Sequence, residues 1–391
     1  MLRMPSLARP NWQQLASEYG FHFHTMYGEP YWDESAYYQF TLQQIENHIE
    51  QPTKEIHEMC LHVVEHAINN EQTLQQLAIP EFAWQAIADS WQEGHPSLYS
   101  RLDFSYDGKH PAKLLENNAD TPTSLYETGF WQWLWLENQV NVGAISRHAD
   151  QFNSLQEKLV REFKRISQYY ACQFMHFACA KDSEEDRATV QYLQDCASEA
   201  GLEAHFDFIE DIGIDKSGQL TSTQNHIIDH CFKLYPWEFM LREPFGQAAL
   251  HSQTGWIEPV WKSVLSNKGL LPLLWQAFEG HPNLLPAFFE EDFARKANSQ
   301  TQWVKKPLYS REGANISIFN AKQSHTQAAS DGPYGDEGYI YQAYSPLPKF
   351  GDNYTLIGSW LVNNEPAGMS IREDAHLITQ DMSRYLPHII L

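Results

Sequence analysis

Two short segments carry residue types used in phosphoryl-transfer chemistry. Arg101-Leu102-Asp103 and Glu116-Asn117-Asn118 flank the turn-forming run Asp107-Gly108-Lys109-His110-Pro111. Alternate residues of a strand share a face, so Arg101 pairs in direction with Asp103, and Glu116 with Asn118. A hairpin symmetric about the Lys109–His110 bond places Asp103 opposite Glu116 and Arg101 opposite Asn118. Facing carboxylates repel unless a cation lies between them. With an amide oxygen they form a hard-ligand set suited to Mg²⁺. The adjacent guanidinium could hold a transferring phosphoryl group. Short polar patterns are common, and a solvated hairpin face with an Arg–Asp pair reads the same way. On either reading the patch faces the surface and adds little to the core.

Three further segments could complete such a site. In 303–315 an apolar strand carries Lys305 and Lys306 into a turn with Ser310, Arg311 and Gly313. Glycine permits close backbone approach to a phosphate, and Lys306 and Arg311 would neutralise it. The run is not a Walker A loop, because GxxxxGK[ST] is absent. Gln342-Ala343-Tyr344 ends a strand whose backbone N–H and C=O groups could meet a purine edge, and Arg372 ends another beside acids. Taken alone, these are an ordinary basic turn, a strand end and a surface salt bridge. The run Asp182-Ser183-Glu184-Glu185-Asp186 suits a helix N-terminus; its functional version is recognition of an ammonium group.

Residues 33–92 read as mostly helical, from the spacing of Tyr38, Leu42, Ile45 and Ile49 and of Ile56, Met59, Val63 and Ala67. Pro52-Thr53 separates the two runs, with Thr53 an expected N-cap. Helices follow over 80–91, 123–140 and 150–170. Strand 173–180, helix 184–200 and strand 203–209 form a βαβ unit with a parallel sheet. Short strands at 302–307, 314–320, 338–344, 354–362 and 366–372 then form antiparallel sheet. The fold class is α/β followed by α+β. Trp131, Trp133 and Trp135 alternate in a helical stretch and cannot share one face.

The sequence has 50 acidic and 27 basic residues in 391, a net charge of -23. Such a surface repels phosphate backbones and anionic membranes, so nucleic-acid and membrane partners are not expected. Five scattered cysteines without a CxxC pair read as reduced thiols of a cytoplasmic protein. No apolar run reaches a membrane span, and the first residues lack a signal-peptide core.

In chain order, the motifs Arg-x-Asp-Phe (101–104), Leu-Glu-Asn-Asn-Ala-Asp-Thr-Pro-Thr (115–123), Lys-Leu-Tyr-Pro-Trp-Glu (233–238), Pro-x-Trp-Lys (259–262), Ser-Asn-Lys (266–268), Leu-Leu-Pro-Leu-Leu-Trp (270–275), Lys-Pro-Leu-Tyr-Ser-Arg-Glu-Gly (306–313) and Ile-Arg-Glu-Asp (371–374) resemble the synthetase domain of the glutathionylspermidine synthase family. The resemblance is greatest to its stand-alone bacterial members, described as acid–amine ligases. It implies a permuted ATP-grasp fold with an additional preATP-grasp-like α/β region. It also implies ATP- and Mg²⁺-dependent formation of an acyl phosphate, which an amine then attacks to give an amide. By the same resemblance, Asp103, Glu116 and Asn118 bind Mg²⁺, with Arg101 at the transferring phosphoryl group. Lys268 and Lys306 contact ATP phosphates, and Arg311 and Arg372 face phosphate or acyl phosphate. Gln342, Ala343 and Tyr344 line the adenine side together with Leu377, Ile378 and Thr379. Thr121, Thr123, Glu184 and Glu185 fall where the family handles its thiol tripeptide.

The expected division is a mainly helical region (1–96), the metal hairpin with the α/β region (97–215), a connecting or lid region (216–300) and an antiparallel ATP-binding region (301–391). The substrates would be small molecules, a peptide-like carboxylate and a polyamine-like amine, and the oligomeric state stays open. Bifunctional members carry an amidase ahead of the synthetase, so hydrolysis of the conjugate is not expected of this chain. Leu234 stands where those members have threonine, which leaves glutathione itself open as the acyl substrate. Two other classes compete: an ATP-grasp-fold protein that binds nucleotide or peptide without turnover, and an aromatic-rich carbohydrate-binding or hydrolytic protein. ATP consumption separates the first reading from both.

Overall fold

The hairpin forms because its turn is chemically specified. In the computed structural model, which describes residues 1–297, 302–322, 325–380 and 383–391, Asp107 Oδ1 accepts from the backbone N–H of Lys109 and of His110, both at 2.9 Å. Gly108 takes the left-handed φ of +86° that the turn needs. The strands Tyr99–Ser105 and Lys113–Asn118 pair antiparallel, with Arg101 opposite Asn118 and Asp103 opposite Glu116. This is the expected register. Between Asp103 and Phe104 it shifts, and Phe104 pairs with Leu114, so Leu115 bulges. The patch does not face solvent: Arg101 is 6% and Asp103 2% exposed.

The burial has a topological cause. Strand Asn353–Val362 pairs antiparallel with Tyr99–Ser105 and with Glu365–Asp374, which pairs with Arg384–Leu386. The hairpin is thereby the edge of a six-stranded sheet. Most of the stretch from 302 onward divides between two sheets, because Gln302–Pro307, Ser317–Asn320, His325–Ala329 and Tyr339–Ala343 join Ala287–Phe289 in a separate five-stranded antiparallel sheet, while His388–Ile390 pairs parallel with Ala36–Phe40 in a smaller one. A third sheet is parallel, in the order Gly255–Ile257, His230–Leu234, Phe174–Cys179, Glu203–Phe208. Helix Glu184–Glu199 makes the crossover of the expected βαβ unit. Tyr99, stacked 6.1 Å from both Trp360 and Phe232, joins the first sheet to the third. Rings of this size bury roughly 150–250 Å² each, at about 25 cal/mol per Å².

Two expectations for the N-terminal region are corrected. Tyr38 lies in a strand, Ala36–Phe40, whose burial alternates, and not in a helix. The step from Tyr38 to Leu42 crosses an element boundary, where Thr41 and Gln44 form a capping box. From Leu42 the chain stays helical to Ala67, through a wider turn at Glu46–Glu50 just before Pro52. Proline cannot donate to the fourth carbonyl back, and the wider turn accommodates it. Thr53 therefore caps nothing. Its hydroxyl donates to the Ile49 carbonyl at 2.6 Å and contacts Ser359 Oγ at 2.7 Å. Trp131 and Trp135 are buried and Trp133 is exposed, as their alternation requires. Among the described residues no helix is long and apolar enough to cross a membrane. All five cysteines are free thiols.

Candidate active site

Arg101 and Asp103 form a bidentate pair: Nε donates to Oδ1 at 2.7 Å and Nη2 to Oδ2 at 3.2 Å. Arg101 Nη1 also donates to the Thr123 carbonyl at 3.1 Å. Asn118 Nδ2 reaches Asp103 Oδ2 at 3.2 Å and Glu116 Oε1 at 3.4 Å, so one amide spans both carboxylates. Burial and the facing Glu116 push Asp103 above the ordinary carboxylate range, against the pull of Arg101. Burial acts on Glu116 too, yet Lys268 and Lys306 hold its carboxyl down at about 2. Two oxygen-rich side chains that disfavour each other's charge, with an amide within reach, fit a hard divalent cation. Among the described residues no group of three or more His, Cys, Asp or Glu side chains offers a competing metal set.

The opposite wall reaches the hairpin through the bulge. Lys306 and Lys305 alternate on their strand. Lys306 is buried and donates to the bulged Leu115 carbonyl at 2.9 Å, while Lys305 lies 3.8 Å from the Tyr339 ring centre on the other side. Gln342 Nε2 donates to the Leu114 carbonyl at 3.0 Å. Lys268 ion-pairs with Glu116 at 3.2 Å and donates to the Ser310 carbonyl at 2.7 Å. Burial lowers Lys306 to about 8, although Glu116 works against the shift.

Gly313 is required for a different approach from the expected one. At φ +70°, a Cβ there would lie 2.4 Å from the Thr379 carbonyl oxygen. The basic turn thus packs closely on the backbone of 377–379. Arg311 is held by Glu238 (Nη2 to Oε1, 2.7 Å) and Thr121 (Nη1 to Oγ1, 2.8 Å). Among the described residues Arg372 makes no salt bridge. Its Nη2 donates to the Gln380 carbonyl at 2.9 Å, its Nε is buried without a partner among them, and its guanidinium lies 5.5 Å from the Tyr385 ring centre. The Ala343 and Tyr344 N–H groups donate to the Pro286 and Gln302 carbonyls at 2.7 and 3.1 Å. These two amides are therefore not free to meet a purine edge.

Glu184 and Glu185 open helix Glu184–Glu199, where Ser183 caps the Asp186 N–H. Acids at that terminus are what the helix dipole favours. Burial and then Glu185 raise the Asp186 carboxyl to about 7.

Sequence reasoning missed Tyr31, Glu127 and Tyr385. The Tyr31 hydroxyl lies 2.6 Å from Glu127 Oε1 and 3.0 Å from Glu185 Oε1. A phenol has one proton, so both contacts are hydrogen bonds only if one carboxyl is protonated. Glu127 fits that role, because burial and then Glu185 raise it to about 8. The folded state keeps this proton to about pH 8, whereas an unfolded chain loses it near 4.5. Between these values the folded state binds more protons, so stability falls as pH rises. The thermal midpoint should fall across that window, and Glu127→Gln should flatten the profile. Parallel profiles for variant and wild type would contradict this.

All eighteen residues assigned from the sequence line one cleft of about 680 Å³, together with Tyr31, Asp186 and Tyr385. They come from the hairpin sheet, the five-stranded sheet, the loops after 118, 265, 307, 343 and 374 and one helix N-terminus. No local pattern could show that these elements converge.

A protein-family model described as "Glutathionylspermidine synthase preATP-grasp" matches residues 3–391. A provisionally named acid–amine ligase of Haemophilus influenzae is 37% identical over 390 residues, covering 97% of each chain. The bifunctional glutathionylspermidine synthetase/amidase of Escherichia coli is 25% identical, over 92% of this chain and 60% of its own length. The trypanothione synthetase of Crithidia fasciculata is 26% identical, over 83% of this chain and 52% of its own. A glutathione synthetase-like effector from Globodera pallida superposes with a TM-score of 0.57 at 10% identity, over 90% of this chain and 89% of its own. The fold is thus the mixed α/β and α+β architecture of the ATP-grasp type, with its preATP-grasp-like α/β region, and the chain belongs to the glutathionylspermidine synthase preATP-grasp family.

Proposed function

We propose that this protein is an ATP- and Mg²⁺-dependent ligase that joins a carboxylate to an amine through an acyl phosphate. One observation carries the reading: in a single cleft, the facing carboxylates of Asp103 and Glu116 adjoin Arg101, Lys268, Lys306, Arg311 and Arg372. Asp103, Glu116 and Asn118 would hold Mg²⁺, which when bound offsets the charge of the ATP phosphates. Lys268 and Lys306 bind phosphate oxygens, and Gln342–Tyr344 with 377–379 wall the adenine. A carboxylate oxygen of the acyl substrate attacks the terminal phosphorus, and ADP leaves. Arg101, Arg311 and Arg372 steady the charge on the transferring group. The amine nitrogen then attacks the acyl carbon. The C–O bond to phosphate breaks, and of the two protons the ammonium gives up, one passes to solvent and one leaves with the phosphate. Thr121, Thr123, Glu184 and Glu185 orient the substrates.

Phosphate release from ATP across a panel of carboxylates and amines tests this reading. Release should require one of each. Nucleotide binding with no release under any pairing would favour a non-catalytic binder.

The acyl substrate is peptide-like and the amine a polyamine or other cation. The names of the relatives support this, as do the net charge of -23 and the acids 182, 184, 185 and 186 along the cleft. Acids at a cleft mouth raise the local concentration of cations, and salt screens them beyond about 8–10 Å. The kcat/KM for spermidine should exceed that for a zwitterionic amino acid and fall as salt is added. A preference for the zwitterion, or a rate indifferent to salt, would remove the electrostatic argument.

A further inference from the structure

The Pro-x-Trp-Lys motif has no role in the cleft, and Lys262 is not among the residues that line it. Lys262 is 1% exposed and lies beneath the hairpin. Its Nζ donates to the Tyr99 carbonyl at 2.9 Å and to the Ala119 carbonyl at 2.9 Å. The hairpin ladder stops at the pair Arg101–Asn118. Tyr99 lies two residues before that pair on one strand, and Ala119 one residue after it on the other. The ammonium thus bridges the two strands where their own hydrogen bonds end. Glu258, fully buried, ion-pairs with Lys262 at 3.2 Å and accepts from the Leu98 and Tyr99 N–H groups at 3.1 and 2.9 Å. On the next residue, Asp120 takes Lys233 at 2.8 Å and the Trp237 N–H at 2.6 Å.

Taking four charged groups out of water is expensive, and well-packed apolar side chains would often serve stability equally well. What apolar side chains cannot do is supply a donor to two carbonyls on separate strands. We infer that Lys262, seated by Glu258, is a positioning residue that fixes the spacing of the two strands at the end carrying Arg101, Asp103, Glu116 and Asn118, and so sets the affinity of those side chains for a divalent cation. The inference rests on the reading that Asp103, Glu116 and Asn118 hold the metal. It assigns to the 259–262 motif a task outside the cleft: supporting ligands through the backbone that carries them. Loss of such outer support costs roughly 10–100-fold in metal affinity.

The test uses the full chain, Mn²⁺ as the probe and a non-hydrolysable ATP analogue. Bound Mn²⁺ is followed by its paramagnetic resonance signal, and thermal midpoints are recorded alongside. Lys262→Met alone leaves the Glu258 charge buried without its cation, which is strongly destabilising. Lys262→Met with Glu258→Gln removes both charges, and Lys262→Arg keeps the charge while changing the reach of its donors. Arg9→Met with Glu34→Gln removes another buried ion pair, of 2.7 Å, far from the hairpin in sequence, and serves as the control for lost stability. Lys262→Arg and the Lys262/Glu258 double variant should both need roughly 10–100-fold more Mn²⁺ for half saturation, with the Arg9/Glu34 variant unchanged. Unchanged Mn²⁺ affinity in both Lys262 variants, or an equal loss in the control, would overturn the inference. If wild type itself binds no Mn²⁺ with the analogue, or binds it equally well after Glu116→Gln, the metal assignment fails and not merely its support.

Discussion

Glu116→Gln and Asp103→Asn should each lower Mg²⁺-dependent ATP turnover by roughly 10²–10³-fold or more, the scale seen when one preorganised charge-stabilising group is removed. The amide variants are the informative ones because of burial. Asp103 is 2% exposed and is the bidentate partner of Arg101. Asp103→Ala would leave a buried guanidinium unpaired, a loss of about 3–5 kcal/mol that could be mistaken for a catalytic effect. Asparagine keeps an acceptor for Arg101 and removes the charge a cation needs. Glu116 has a side chain 27% exposed and paired with Lys268, so Glu116→Gln disturbs the fold less. Circular dichroism and the thermal midpoint should stay close to wild type for Glu116→Gln while turnover collapses. Near-wild-type turnover in both variants would remove these side chains from the metal site.

Lys306→Met should weaken ATP binding by about 30-fold or more, since truncating one partner of a buried charge pair costs about 2 kcal/mol at the low end. Lys306 is buried, and the acceptor of its hydrogen bond is a carbonyl, that of Leu115. A phosphate oxygen would supply the anionic partner that this carbonyl does not. Because burial brings the ammonium to about 8, part of the charge is lost as pH rises past that value. Calorimetric affinity of the wild type should therefore decline above about pH 8, and that of Lys306→Met should not decline for this reason. Equal affinity of the two proteins for ATP would make Lys306 an ordinary strand residue. Methionine preserves most of the side-chain volume, so the comparison isolates the charge.

The hairpin was legible because a turn with Asp107 and Gly108 fixes register, and register fixes which polar groups face each other. The 103–116 and 101–118 pairs followed from arithmetic on the turn alone. The bulge at Leu115 was not legible. Its carbonyl and that of Leu114 are met by Lys306 and Gln342, which lie 191 and 228 residues away on another strand pair. The same limit explains the misread exposure of the patch. A hairpin looks two-sided and solvated until strand Asn353–Val362 covers its edge, and nothing local to residues 99–118 announces that partner. Tyr38 failed for a local reason, since helical spacing was counted across a capping box. Tyr31 and Glu127 failed for a global one: they are 96 residues apart and meet only in the fold. At Gly313 the turn chemistry calls for close backbone approach, and the fold supplies one at the Thr379 carbonyl, far along the chain, which no local pattern announces.

The most direct test of the proposed chemistry follows oxygen from one substrate to the other. A carboxylate found active in the phosphate-release panel is labelled in its carboxyl group with oxygen-18 and incubated with ATP, Mg²⁺ and the amine. If the carboxylate attacks the terminal phosphorus, one of its oxygens leaves with the phosphate when the amine displaces it. The expected products are ADP, amide and released phosphate carrying one labelled oxygen per turnover. Unlabelled phosphate, or AMP with pyrophosphate, would contradict it.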